Sequence, residues 1–266
     1  MKPLHSLRGQ APAGRYRSRA DDGKDAEPGH AIFPIVTQQD DGTFVPIGTG
    51  FFVAEHGVFV TAAHVVTAVL DHAGNSTGPF GLFQFLPGGT YYLRPIHRVT
   101  RHLVADVAVG VAVPMHHNVT GAPMPNKVMK ISKNPPLMGS SVCTFAYPKT
   151  TVMGGKPQRI DFAPAFFDGK VVEHFPDGRD RIVLPGPCFR TSMVIHGGAS
   201  GGPVVDGSGA VFAVNSTGFD DDEVSYVSCI SSVLDLEITG IQLPGDGSPR
   251  STTLRELVDR GFVGSR

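Results

Sequence analysis

The sequence predicts an all-β protein that closes on a short helix, and three observations carry that expectation. From Ile32 onward, apolar runs of strand length alternate with Gly, Asn, Asp and Pro, the punctuation of short strands joined by turns. A second set of such runs follows Pro114 to Pro136, a stretch with several prolines and little patterning. Near the end, Thr253-Leu254-Arg255-Glu256 reads as a capping box, with Leu254, Leu257 and Val258 on one face and Gly261 as the stop.

Residues 1–29 come first. They are rich in Gly, Pro, Arg, Asp and Lys without periodicity, and such a composition buries too little apolar area to offset the entropy of ordering. A disordered N-terminal tail is expected, and its basic residues Lys2, Arg8, Arg15, Arg17 and Arg19 also fit an interaction arm. The first strand set follows: Ile32 to Val36, Gly48 to Val53, Gly57 to Thr61, Phe80 to Phe85, Tyr91 to Val99 and Leu103 to Val113. It places a first domain over 30–122. Ser140 to Tyr147, Arg159 to Ala165, Gly169 to Val172, Arg181 to Val183, Pro203 to Val205, Ala210 to Val214 and Val224 to Cys229 place a second over 123–245. Residues 246–266 hold the C-terminal helix and tail, and no internal repeat interrupts this order.

Composition narrows the class. At 266 residues, with 41% hydrophobic and 18% charged residues, the chain is an ordinary globular protein. A net charge of −1 gives no electrostatic reason to expect nucleic acid or an anionic membrane as partner. Met1 to Glu27 has no apolar h-region and no run reaches the length of a membrane span, so neither secretion signal nor anchor is read and a cytoplasmic setting is expected. In that setting the acceptor patterns at Asn75, Asn118 and Asn215 go unused. Three cysteines, Cys143, Cys188 and Cys229, cannot all pair and fit buried thiols, with a Cys188–Cys229 bridge as the alternative.

The chemistry concentrates at Gly198-Ala199-Ser200-Gly201-Gly202-Pro203, where glycines surround a lone serine and the backbone is free to present a nucleophile beside inward-pointing amides. A serine nucleophile needs a base, and Thr61-Ala62-Ala63-His64-Val65-Val66 supplies His64. The imidazole needs a carboxylate, and Asp106 stands in the apolar run Leu103 to Val109, where an unpaired charge would be costly to bury. Alone each piece has a plainer explanation: a flexible loop, a satisfied core histidine, a surface or capping aspartate. Their order along the chain, His, Asp, Ser, differs from the subtilisin order and from that of the hydrolase elbow.

With these motifs the chain resembles the chymotrypsin-like (trypsin-fold) serine proteases over residues 31–245. Thr61 to His64 is similar to the family's Thr-Ala-Ala-His block, Asp106 to Ala108 to its Asp-Ile-Ala block, and Gly201 to Pro203 to the Gly-Gly-Pro after the serine. The resemblance implies two six-stranded antiparallel β-barrels with the site in their crevice, His64 and Asp106 from the first and Ser200 from the second. It implies a serine endopeptidase: Ser200 Oγ attacks the peptide carbonyl, His64 moves the proton, Asp106 orients His64, and the Gly198 and Ser200 N–H groups hold the oxyanion. Protein or peptide is then the substrate, with no cofactor and no metal. His102 and His116-His117 lack a recognisable zinc spacing, and His196 either shapes the pocket mouth or sits in a loop.

The same resemblance lays an extended substrate along Ser216-Thr217-Gly218, with Ser216 also within reach of Asp106. Val194 and Ile195 fall at the base of the primary specificity pocket, which would favour small or medium aliphatic side chains, unless both pack in the barrel core. Asn215 adds a polar wall or holds the loop together. The run Asp220-Asp221-Asp222-Glu223 borders this pocket and would redirect it towards Arg or Lys if one carboxylate folded inward. Two departures from the secreted pattern stand out. Val65 replaces the cysteine that follows the histidine, and Ala199 replaces the aspartate that pairs with a released N-terminus, so activity without N-terminal processing is expected. No peptide-binding module of the PDZ kind follows residue 245, unlike HtrA-type housekeeping proteases. The alternative is a latent or inactive protease-fold module activated by, or serving, a regulatory partner.

Overall fold

The computed structural model describes residue 20 and residues 23–71, 75–153, 159–219 and 224–266. Six strands form the first barrel: β1 (Ile32–Gln38), β2 (Phe44–Phe52), β3 (Val58–Thr61), β4 (Phe80–Leu86), β5 (Thr90–Arg101) and β6 (Ala108–Ala112). They close antiparallel in the order β1-β2-β3-β6-β5-β4, and one helical turn, α1 (Ala63–Thr67), leaves the end of β3. The second half begins with β7 (Ser141–Ala146), carries the small hairpin β8 (Thr151–Met153) and β9 (Arg159–Asp161), and continues with β10 (Ala165–Phe175) and β11 (Cys188–Thr191). It is completed by β12 (Pro203–Val205), β13 (Val211–Phe219) and β14 (Val224–Cys229), closing in the order β10-β11-β14-β13-β12-β7. Closure removes the open sheet edges that six short strands would otherwise expose.

The first barrel is filled by phenylalanines. Phe33, Phe51, Phe52 and Phe59 are fully buried, and the rings of Phe33 and Phe52 lie 4.5 Å apart. Each such side chain stabilises the fold by about 1.5–3 kcal/mol through area removed from water. One cation is buried with them. Arg94 donates through Nε and Nη2 to Val113 O at 3.1 and 2.7 Å, through Nη1 to Asn126 Oδ1 at 2.6 Å and to Gln84 Oε1, and lies over the Phe52 ring. Burial lowers its pKa to about 10, so it stays charged at neutral pH.

The chain end returns to the first barrel. β15 (Glu237–Ile241) and β16 (Arg250–Thr253) form a hairpin whose first strand packs on β5, with Arg98 Nη1 donating to Thr239 Oγ1 at 3.2 Å. The helix α2 (Leu254–Asp259) opens on the capping box of Thr253 and Glu256 and buries Leu254 and Leu257 against the first core. Residues 263–265 then pair with Ala54 and Ile131, while Ile131 also bridges to Val211, so this segment touches both halves. Among the described residues no helix is long and apolar enough to cross a membrane.

Two sequence expectations are corrected here. The run Leu103 to Val113 is not one strand: β6 starts at Ala108, and Leu103 is 100% exposed. His102 Nδ1 accepts from the N–H groups of Val104 and Ala105 at 3.0 and 2.8 Å, folding the backbone into a turn in place of a ladder. Arg181 to Val183 is also a turn, because Asp180 Oδ1 accepts from Ile182 and Val183 N–H at 2.9 and 2.7 Å. The barrel strand there is β11. All three cysteines are buried and free, and the Cys188–Cys229 bridge is not formed: Cys188 lies opposite Ser228 and the two thiols face separate apolar clusters. A 3-10 turn at Pro28–His30 precedes β1; most of the expected tail, 1–19 and 21–22, and the acidic run 220–223 lie outside the described residues.

Candidate active site

The pairing of β3 with β6 explains why His64 and Asp106 meet. Thr61 stands opposite Ala108, so the turn leaving β3 and the bend entering β6 emerge at one end of the barrel. His64 lies three residues past that pair and Asp106 two before it. Asp106 Oδ1 accepts the His64 backbone N–H at 2.9 Å, and Oδ2 accepts His64 Nδ1–H at 2.7 Å. Ser216 Oγ donates to the same Oδ2 at 2.5 Å. Burial by itself would raise the Asp106 pKa, yet the His64 hydrogen bond and charge, with the Ser216 and backbone bonds, hold it below the usual carboxylate value. The imidazole is half exposed, and its Nδ1 is taken by Asp106.

Ser200 comes from the second barrel, on the loop that leads into β12. Its hydroxyl donates to Ser216 O at 3.2 Å, and among the described residues it makes no hydrogen bond to His64. The loop amides fall into two sets. Ala199 N–H donates to His196 O, Gly201 N–H to Asn215 O and Gly202 N–H to Ala199 O, at 3.1, 2.8 and 3.0 Å. The N–H groups of Gly198 and Ser200 have no acceptor among the described residues. Gly198 has φ +87°, and a Cβ there would stand 2.8 Å from Pro148 O, so glycine alone fits. Gly201 is held harder still: its Cβ would meet Thr49 O at 2.1 Å.

β13 supplies the wall of the site. Its register against β14 shifts between Asn215 and Thr217, which makes Ser216 a bulged residue. The bulge turns its hydroxyl to Asp106 and its carbonyl to Ser200. β12 pairs with β13 only as far as Val214, so Ser216–Thr217–Gly218 lies beyond that ladder. Asn215 is fully buried; its Nδ2 donates to Thr144 Oγ1 at 2.8 Å and Ala199 O at 3.2 Å, so it holds the loop together. Val194 is 48% exposed, whereas Ile195 packs into the second core with its N–H on Ser225 Oγ at 3.2 Å.

The Asn215 side chain holds the serine loop through Ala199 O, one of the two readings its sequence position offered. The motif reading passed over Thr49, which bonds Gly198 O and Ser200 O, Thr144, which accepts from Asn215 Nδ2, and the part His102 plays in the turn before Asp106. Thr49 alone carried a signal, its place between Gly48 and Gly50. His196 packs edge-on against Phe167, and His117 Nδ1 accepts from Val119 N–H in its own loop. Among the described residues no three His, Cys, Asp or Glu side chains are grouped to hold a metal ion.

Residues 48–214, more than half of the chain, match the model of the trypsin-like peptidase domain. Solved structures are similar as well. The Rv3671c protease from M. tuberculosis in its active form aligns at 18% identity and a TM-score of 0.54, covering 77% of this chain and 78% of that one. Deg5 aligns at 20% identity and a TM-score of 0.56, covering 77% and 86%. The inactive form of Rv3671c protease aligns at 19% and 0.51, covering 77% and 86%. At these identities the likeness establishes the two-barrel, chymotrypsin-like fold. None of the curated proteins matches the chain.

Proposed function

Because this chain belongs to the trypsin-like peptidase family, we propose that it is a serine endopeptidase in which Ser200 is the nucleophile, His64 the general base and Asp106 its orienting carboxylate. The observation that carries this reading is the His64 Nδ1–Asp106 Oδ2 contact at 2.7 Å on one barrel, joined through Ser216 to the Ser200 hydroxyl on the other, where the Gly198 and Ser200 amides have no acceptor among the described residues. Ser200 Oγ attacks the scissile carbonyl as His64 Nε2 takes its proton, and the same nitrogen returns it to the leaving amine. The carbonyl oxygen, now anionic, accepts from the Gly198 and Ser200 N–H groups. Because neither has another acceptor among the described residues, little reorganisation is needed, and one such donor is worth about 10²–10³ in turnover.

The substrate lies extended along Ser216–Thr217–Gly218, adding main-chain hydrogen bonds to β13 beyond its pairing with β12. Its acyl-side residue rests near Val194 and Ile195, where a basic side chain finds no countercharge at position 194, so small or medium aliphatic residues are preferred. Ala199 cannot accept a new N-terminus as an ion pair, which favours activity without N-terminal trimming.

The test is reaction of the full chain with a fluorophosphonate probe beside Ser200→Ala. Labelling that disappears in the variant supports the reading. No labelling of either chain overturns it in favour of a second reading, a latent module awaiting a partner. The Ser200 hydroxyl, bonded to Ser216 O in place of His64, is the observation on that side. Apo serine–base contacts are commonly loose, so the competent enzyme remains the stronger reading.

A further inference from the structure

We infer that Thr49, a buried residue on β2 of the first barrel, is a positioning residue that sets the Gly198 and Ser200 amides of the second. The inference rests on the peptidase reading for what those amides do; the clamp itself rests on geometry.

Thr49 holds the carbonyls of the same two residues whose N–H groups have no acceptor among the described residues. Its Oγ1–H donates to Gly198 O at 2.9 Å, and its backbone N–H donates to Ser200 O at 2.8 Å. A hydroxyl has a single proton. Here Tyr147 N–H donates to Thr49 Oγ1 at 3.2 Å, which occupies an acceptor site and leaves that proton for Gly198. Thr49 O in turn accepts from Thr61 Oγ1 at 2.7 Å, three residues before His64. Between the two clamped carbonyls, Ala199 O is held by Asn215 Nδ2 and Gly202 N–H. A planar peptide ties each carbonyl to the N–H of the next residue, so the two bonds from Thr49 fix the planes on either side of the Ser200 amide, whose own plane is held through Ala199 O, and the plane that follows Gly198, which limits how far the Gly198 N–H can turn. Thr49 is fully buried and touches no reactant, so its effect passes through the loop.

Thr49→Val keeps the shape and the backbone N–H and deletes only the hydroxyl; Thr49→Ser restores it. The full-length wild type, Thr49→Ser and Thr49→Val are compared by hydrogen exchange of the segment 194–202 and by kcat and KM on a peptide substrate. Exchange in that segment is expected to rise at least about tenfold in Thr49→Val, with kcat falling about 10- to 100-fold and KM within about twofold, since sub-ångström to ångström misplacement is worth up to about 10². Thr49→Ser is expected within about threefold of wild type. Unchanged exchange in Thr49→Val overturns the inference whatever the activity, and so does raised exchange with unchanged kcat in an active enzyme. Raised exchange in a chain whose wild type neither turns over nor labels supports the clamp and sinks the peptidase reading instead. Should Thr49→Val not fold, Thr49→Cys, similar in size with a weaker donor, carries the same comparison.

Discussion

Replacing Asp106 by Asn removes one charge with almost no change in shape, and the site geometry sets how large the effect should be. Asp106 accepts from three donors, His64 N–H, His64 Nδ1–H and Ser216 Oγ–H. The amide has one oxygen. If that oxygen keeps the His64 backbone N–H, the NH₂ group faces Nδ1, and the ring must carry its proton on Nε2, where it cannot accept one from Ser200. Two losses add. The charge-assisted bond to the imidazolium is worth about 1.5–3 kcal/mol, and forcing the reactive tautomer leaves a donor against a donor, about 1–3 kcal/mol. At about 1.36 kcal/mol per tenfold, the sum corresponds to roughly 10²–10⁴ in kcat/KM. The assay is steady-state hydrolysis of a peptide substrate, with near-ultraviolet circular dichroism to show a retained fold. A folded Asp106→Asn enzyme within tenfold of wild type would refute the tautomer argument. The same carboxylate predicts an acid limb. Its pKa is lowered in the folded state, so its contribution to stability is complete above the ordinary value of about 3.9 and is lost as pH falls through the lower folded value. Thermal melts should therefore show the wild type's advantage over Asp106→Asn at pH 5–7 shrinking below about pH 4.

Three further outcomes are expected. Gly201→Ala meets Thr49 O and combines that clash with φ +85°, so urea titration should show a loss above about 3 kcal/mol; Gly89→Ala, with φ +79° but open space around it, should lose only about 1 kcal/mol. Burial raises all three thiols, Cys143 and Cys229 to about 12, so none should react with a thiol reagent at pH 8 until the chain is unfolded. Val194→Asp should shift a peptide-library profile towards Lys and Arg on the acyl side of the cut; an unchanged profile would remove Val194 from the pocket.

Much of the fold could be read from local pattern. Pro203–Val205 and Val224–Cys229 are strands over the same residues that their apolar runs suggested, because turn residues bound them closely. Where local pattern misled, a side chain had taken the backbone's donors: His102 before Asp106, and Asp180 before Ile182. Apolar content alone could not reveal either, since both turns are as rich in Val, Leu and Ile as a strand. At the site, residue type and surroundings singled out His64, Asp106 and Ser200. The groups that hold them are ordinary by type. Thr49 acts through contacts made only when the two barrels meet, and no periodicity within one strand encodes a partner in the other half of the chain; Asn215, beside the bulge of its own barrel, is open to a loop-holding reading from its place next to Ser216.

The bulge at Ser216 constrains length as well as composition. Surface turns such as 86–90 or 206–210 could gain residues at a small entropic penalty, rising only with the logarithm of loop size. Deleting or inserting one residue between Asn215 and Thr217 is different, since a one-residue slip exchanges the two faces of a strand. In a single event Asp106 would lose its Ser216 donor, Ser200 its acceptor and the loop its Asn215 anchor. Among variants of this chain, then, indels should accumulate in the outer hairpins and be missing from this short stretch of β13.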